Sequence, residues 1–356
     1  MNKTKKIWLW SVLALIVILG VVSYWFFYMK APRSFNKSPE GIQAIADFYN
    51  NNLDVSINKT ETYLKNNPKD ISGLLLLATS YEQKGSLEFK EKQYGDLAIQ
   101  TANEVLAIDP NNAEAYRIIG YAYEIEQNYT DAISNYSKSI SLDPKSALAL
   151  ESRGHAYYLM GNIDEATSDL NDALKIDPDL GSAWLNLARI SYDNGDSDKA
   201  SGFLSKVSVQ DLPVVLQVDY YTISALIKQS AFDIEGASSD LAKALELNPN
   251  SPFVITDNAA IKMILLLEGG KVIDGNKINE LISDVQKALA IDPNLTLSYV
   301  TLGKMKVLTG DAKGSQEEFQ KAKEVVPNDI TLSASQKKNT LDDIDGLLET
   351  QITKTK

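Results

Sequence analysis

The sequence predicts an all-α solenoid of about eight helical hairpins, preceded by a single N-terminal transmembrane helix. Three observations carry that prediction. The prolines recur at a nearly fixed interval, the apolar residues between them follow a helical period broken once per unit, and one long stretch near the start has no charge. The chain is divided accordingly into an N-terminus at 1–6, a signal-anchor helix at 7–29, a linker at 30–39, a repeat solenoid at 40–329 and a capping helix with tail at 330–356.

The proline interval is read directly. Pro110, Pro144 and Pro178 stand 34 apart, as do Pro293 and Pro327, with Pro213 and Pro249 at intervals of 35 and 36. A helical run enters each one, usually through Asp-Pro or Asn-Pro. Proline cannot continue a helix, so each marks a stop before the next begins. Within a unit Tyr116, Ile119, Gly120 and Tyr123 form one apolar stripe, Asn128-Tyr129 breaks it, and Ala132, Tyr136 and Ile140 resume it. Leu150, Gly154 and Tyr157, then Gly161-Asn162, then Ala166, Leu170 and Ala173 repeat the pattern. A small residue at the middle of the first stripe lets two helices approach closely.

Two units exceed the period. The one ending at Pro110 is longer by 8 residues, around Ser86–Gln93, and the one ending at Pro293 by 10, around Gly269–Lys277. Both are expected in the turn inside a hairpin, where added length costs little. They are either tolerated loops or contact loops. The first unit, about 40–70, lacks the small crossing residue and is expected to cap the array. After Pro327, the helical spacing of Leu341, Ile344, Leu347, Leu348 and Ile352 predicts a final helix over the exposed end.

Ile7 to Met29 carries no charged residue for 23 positions, with Trp8 and Trp10 near one end and Tyr24, Trp25 and Tyr28 near the other. A helix crosses a bilayer with about 20 such residues, and aromatic rings favour both interfaces. A cleaved signal peptide competes, since Lys3, Lys5 and Lys6 supply its basic start. The expected placement is a single-pass membrane protein of the cell envelope, N-terminus inside and repeats extracytoplasmic.

Composition excludes several function classes. The chain has 47 acidic and 35 basic residues, for a net charge of −12, which disfavours nucleic acid as a partner. It has no cysteine and one histidine, His155, so thiol chemistry and cysteine zinc sites are absent. No second imidazole or thiol completes a metal site, and no motif marks a nucleophile. Neither enzyme activity nor a cofactor is expected. The Asp193, Asp196 and Asp198 cluster lacks the spacing and closing Glu of a calcium loop and reads as turn chemistry.

These units resemble the tetratricopeptide family, whose pattern is W-x2-L-G-x2-Y, then A-x3-F, then P. Tyr116-x2-Ile119-Gly120-x2-Tyr123 with Ala132-x3-Tyr136 and Pro144 is similar to it, as are Trp184-x2-Leu187-Ala188 with Ala200-x3-Leu204, Tyr221-x2-Ser224-Ala225 with Ala237-x3-Leu241, and Tyr299-x2-Leu302-Gly303 with Ser315-x3-Phe319. The resemblance implies a right-handed superhelix whose first helices line an inner groove that binds partners. In the best-matched units the free face of those helices is Glu114, Arg117, Tyr121 and Glu124, then Leu148, Glu151, His155 and Tyr158, then Ser182, Leu185, Arg189 and Tyr192. Tyr and Arg dominate binding hot spots. The candidate partner-binding residues are therefore Arg117, Tyr121, Glu151, His155, Tyr158, Arg189 and Tyr192, holding a protein or peptide segment. Tyr121 and His155 stand where the family's carboxylate clamp needs Asn, so that specificity is not carried over. A solvated groove with its arginines paired to Glu114, Glu124 and Glu151 remains the alternative for the site. A self-assembling envelope oligomer, or an accessory subunit of an enzyme complex, is the alternative for function.

Overall fold

The computed structural model describes residues 34–88, 91–268, 274–329 and 331–355. Among these, every regular element is helical. Sixteen of the seventeen α-helices pair in chain order: α1 Pro39–Tyr49 with α2 Leu53–Asn66, α3 Ile71–Glu88 with α4 Glu91–Ile108, α5 Ala113–Ile125 with α6 Tyr129–Leu142, and α7 Ala147–Met160 with α8 Ile163–Ile176. The series continues with α9 Gly181–Asp193 and α10 Ser197–Leu204, α11 Val214–Ser230 and α12 Ile234–Leu247, α13 Pro252–Glu268 and α14 Gly275–Ile291, and α15 Thr296–Leu308 and α16 Ala312–Val325. The last helix, α17 Ala334–Thr355, stands alone. The fold is an all-α solenoid of eight hairpins.

Local chemistry explains the joints. At five of the repeat joints the residue before the proline uses its side chain as a turn: Asp109, Asp143, Asp177, Asn248 and Asp292 each accept the backbone N–H two residues on, at 2.9–3.2 Å. The consensus aromatic six residues later then donates back to the proline carbonyl, from Tyr116 at 3.2 Å, Trp184 at 2.9 Å and Tyr299 at 3.2 Å. Proline and aromatic are thus two ends of one hydrogen-bonded joint. Inside the hairpins, Gly161, Gly195 and Gly310 hold left-handed φ values of 80–88° that end the first helix. Gln127 and Phe232 hold φ of 58° and 63° at the corresponding turns without glycine's freedom.

The crossing positions pack as tightly as their small residues suggest. A Cβ on Gly120 would lie 2.7 Å from the Tyr136 ring, and one on Gly303 would lie 2.4 Å from that of Phe319. Tyr136 and Phe319 are each 1% exposed. The first hairpin corrects one expectation: it does have a small crossing residue, Ala44, whose carbonyl accepts from Ser56 Oγ at 2.8 Å. The prolines before it, Pro32 and Pro39, stand off the register of the later units, which hid it in the pattern.

The insertions also differ from expectation. α3 and α4 have 18 residues each, against 13 and 14 in α5 and α6. The extra residues are taken up mainly as about one further turn on each helix. α13 and α14, at 17 residues each, are lengthened in the same way. At the far end Ile344, 1% exposed, seats α17 on Phe319, Ala322 and Val326, with Leu341, Leu347 and Leu348 around it.

The expected single-pass membrane placement is overturned: among the described residues no helix is long and apolar enough to cross a membrane. The described helices carry charged residues along their length. Even α13, rich in aliphatic residues, carries Asp257, Lys262 and Glu268. The segment Ile7–Met29, on which that expectation rested, lies outside the described residues.

Candidate functional site

Helices α3, α5, α7, α9 and α11 form the inner wall, and their polar side chains meet one repeat apart. Arg117 donates to Glu82 at 2.8 Å, and Tyr121 and Ser86 share a hydrogen bond of 2.8 Å. His155 Nδ1 meets Glu124 Oε1 at 2.8 Å, and Asn186 donates to Glu151 at 2.7 Å. Tyr158 donates to Asp193 at 2.5 Å, and Arg189 approaches Asp219 at 3.9 Å. The partners are 30 to 35 residues apart in sequence, so each rung ties one hairpin to the next.

Of the expected binding residues, Arg117, Tyr121, Glu151, His155, Tyr158 and Arg189 all lie on this ladder. Tyr192 follows on α9, half-buried beside the apolar cluster of Leu185, Ala188 and Ile223. Leu185, expected on the free face, is 3% exposed and belongs to that core. Of the pairings in the alternative reading, arginine with Glu114, Glu124 and Glu151, the structure has Arg117 with Glu114. Arg117 bonds Glu82 as well as Glu114, both at 2.8 Å, and Glu124 takes the histidine.

Glu82, Asn186, Asp219 and Asp257 were missed by sequence reasoning. The one-repeat spacing from Glu151 was the available signal for Asn186. Also missed were ties within hairpins: Arg153 holds Asp169 through two bonds of 2.7 and 2.9 Å, Lys306 holds Glu318 at 2.8 Å, and Lys228 holds Asp240 at 2.5 Å.

Two family models match the chain, one described as TPR repeat over residues 120–161 and one as Tetratricopeptide repeat over 157–212. The chain carries tetratricopeptide repeats over residues 120–212. Among solved structures, the APC/C hetero-tetramer Cut9-Hcn1 is similar with a TM-score of 0.64 at 16% identity, over 89% of this chain and 57% of that one. The human IFIT1 dimer with PPP-AAAA gives a TM-score of 0.52 at 15% identity, over 80% of this chain and 66% of that one. These likenesses concern the fold. The tetratricopeptide chain thus spans little more than half of the Cut9-Hcn1 chain it matches. No curated protein matches the sequence.

The inner charges of this array cluster around three basic side chains, each beside two or more carboxylates. Glu82 and Glu114 flank Arg117, Glu124 and Glu151 flank His155, and Asp219 and Asp257 flank Arg189. Burial of these carboxylates penalises their ionisation. Burial pushes Glu82 up to about 7 despite Arg117, whose guanidinium Glu114 also claims. The second oxygen of Glu82 is buried with no hydrogen-bond partner, so it is the atom a proton would occupy. Burial raises Asp257 to about 7, with Arg189 opposing, and raises Glu151 and Asp219 as well. Burial works against a charge on His155, but Glu124 and Glu151 together outweigh it and the imidazole is raised. Among the described residues no group of three or more acidic or histidine side chains is arranged to hold a metal ion.

A pH dependence follows from Asp257. Its folded pKa lies above its unfolded value, so the protonated form favours folding, and stability falls as pH rises from about 4 to about 7. Asp257→Asn is therefore expected to unfold at higher urea than the parent at pH 8, with the advantage shrinking at pH 5. Urea melts at the two pH values check this; an advantage independent of pH would show that Asp257 is fully solvated.

Proposed function

We propose that this protein is a protein–protein interaction scaffold that holds an extended, positively charged segment of a partner along its inner channel. The carrying observation is the excess of carboxylates over basic side chains in all three inner clusters. A lysine or arginine side chain arriving there supplies the missing countercharge, and it restores the ordinary ionisation of Glu82, Asp219 and Asp257. Tyr121 and Tyr192, both partly exposed, add flat faces suited to a backbone or a cationic stem. The same surplus of negative charge opposes a phosphate backbone.

The test uses fluorescent oligolysine and oligoglutamate of equal length. The array is expected to bind oligolysine with an affinity that falls as salt rises, and to ignore oligoglutamate. Asp219→Asn with Asp257→Asn should weaken oligolysine binding about tenfold, equivalent to about 1.4 kcal/mol. Equal binding of the two peptides would discard the reading.

A further inference from the structure

The solenoid touches itself. Asn248, at the junction of the sixth and seventh hairpins, donates to the Leu87 carbonyl of the second at 3.3 Å. Beyond the eighth hairpin, Lys337 Nζ donates to Gln127 Oε1 at 2.7 Å, and Gln127 Nε2 donates to the Asn328 carbonyl at 3.4 Å. Tyr158 reaches Gln336 Oε1 at 3.3 Å. These contacts join residues 161 to 210 positions apart and close the inner channel along a seam.

We infer that this seam is a latch, made by the first turn of α17 and the tip of α3, whose opening sets how fast a partner segment enters the channel. The entry of a segment rests on the function proposed above; the latch itself does not. Three features support it. The seam residues stand where the chain departs from its repeat: Leu87 lies in the first insertion, and Asn328, Gln336 and Lys337 follow the last repeat. The seam is polar, and among the described residues no apolar cluster crosses it, whereas such clusters hold every hairpin to its neighbours. Hydrogen bonds open to water are weak net contributors, so the seam parts before the stack does.

Gln127 is the third feature. It holds a left-handed φ of 58° where Gly161, Gly195 and Gly310 occupy the same turn in other hairpins. A glutamine is disfavoured there, yet its amide is what accepts from Lys337 and donates to Asn328. The latch also covers the site: Tyr158, a ladder residue bonded to Gln336, is 4% exposed.

The absence of cysteine gives a clean experiment. A Cβ built on Gly161 lies 3.8 Å from that of Ala334, within the roughly 3.5–4.5 Å that disulfides span. Gly161→Cys with Ala334→Cys is expected to crosslink in the folded protein and, once oxidised, to slow oligolysine association several-fold relative to its reduced form. Because a cysteine at Gly161 must accept a positive φ, a second variant breaks the seam instead. Gln127→Ala, Gln336→Ala and Lys337→Ala together should enlarge the radius of gyration in X-ray scattering, leave the helical signal unchanged, and speed oligolysine association. A seam variant with unchanged radius, or equal association by open and locked forms, overturns the latch. If the radius grows while oligolysine binds to no form, the latch stands and the cationic-segment reading falls.

Discussion

Replacing Arg117 with methionine is expected to destabilise the array by about 3–5 kcal/mol, the usual cost of removing one partner from a buried ion pair. The Arg117 and Glu82 side chains are 11% and 10% exposed, so water cannot replace the lost guanidinium. Glu82 would be left with neither oxygen partnered, and Glu114 would lose its bond of 2.8 Å. Two further results separate this cause from simple loss of packing. Adding Glu82→Gln to Arg117→Met should recover most of the loss, because the uncompensated charge disappears. Lowering the pH from 8 to 5 should also recover part of it, since the Glu82 carboxyl, already up at about 7 beside arginine, then takes a proton. Urea midpoints at both pH values and amide exchange in α3 and α5 are the measurements. A loss of the same size at both pH values, unrelieved by Glu82→Gln, would make packing the cause.

That result concerns features the sequence exposed only in part. The period was legible because one joint uses three residue types at fixed offsets: Asp or Asn for the turn, proline after it, and an aromatic six residues on. Gly120, Gly154 and Gly303 likewise announce where two helices cross. The inner ladder was legible only as a face. Helical spacing places Arg117, Tyr121, Glu151, His155, Tyr158 and Arg189 on one side of their helices, but says nothing of partners one repeat away. For Arg117 the partner was further hidden, because the lengthened α3 moves Glu82 seven residues beyond the position that Arg117 holds relative to its own proline. The insertions themselves were misread for a related reason. Residues 86–93 contain no proline, and the described ones among them extend the two flanking helices. The seam was illegible, since no local pattern encodes a contact between residues 210 positions apart.

Phe319→Ala should cost a similar amount, about 3–5 kcal/mol for a buried aromatic, but its consequences should reach further along the chain. The ring fills the space that Gly303 leaves open, at 2.4 Å from where a Cβ would stand, and it forms the floor on which Ile344 and α17 rest. Removing it deprives the last helix of its apolar seat. In a repeat array stability is shared mainly between neighbours, so α1 to α10 should keep their amide protection while α15 to α17 lose theirs. The latch depends on Gln336 and Lys337 at the start of α17, so Phe319→Ala should also open the seam and enlarge the molecule in scattering, although it lies far in sequence from Gln127 and Tyr158. Gly303→Ala tests the same gap from the other side. Alone it should destabilise, and combined with Phe319→Ala it should cost less than the two separately, because the new methyl enters the cavity the ring vacates. Strict additivity would mean the two residues do not share that space, and protection lost evenly along the chain would mean the array melts as one unit.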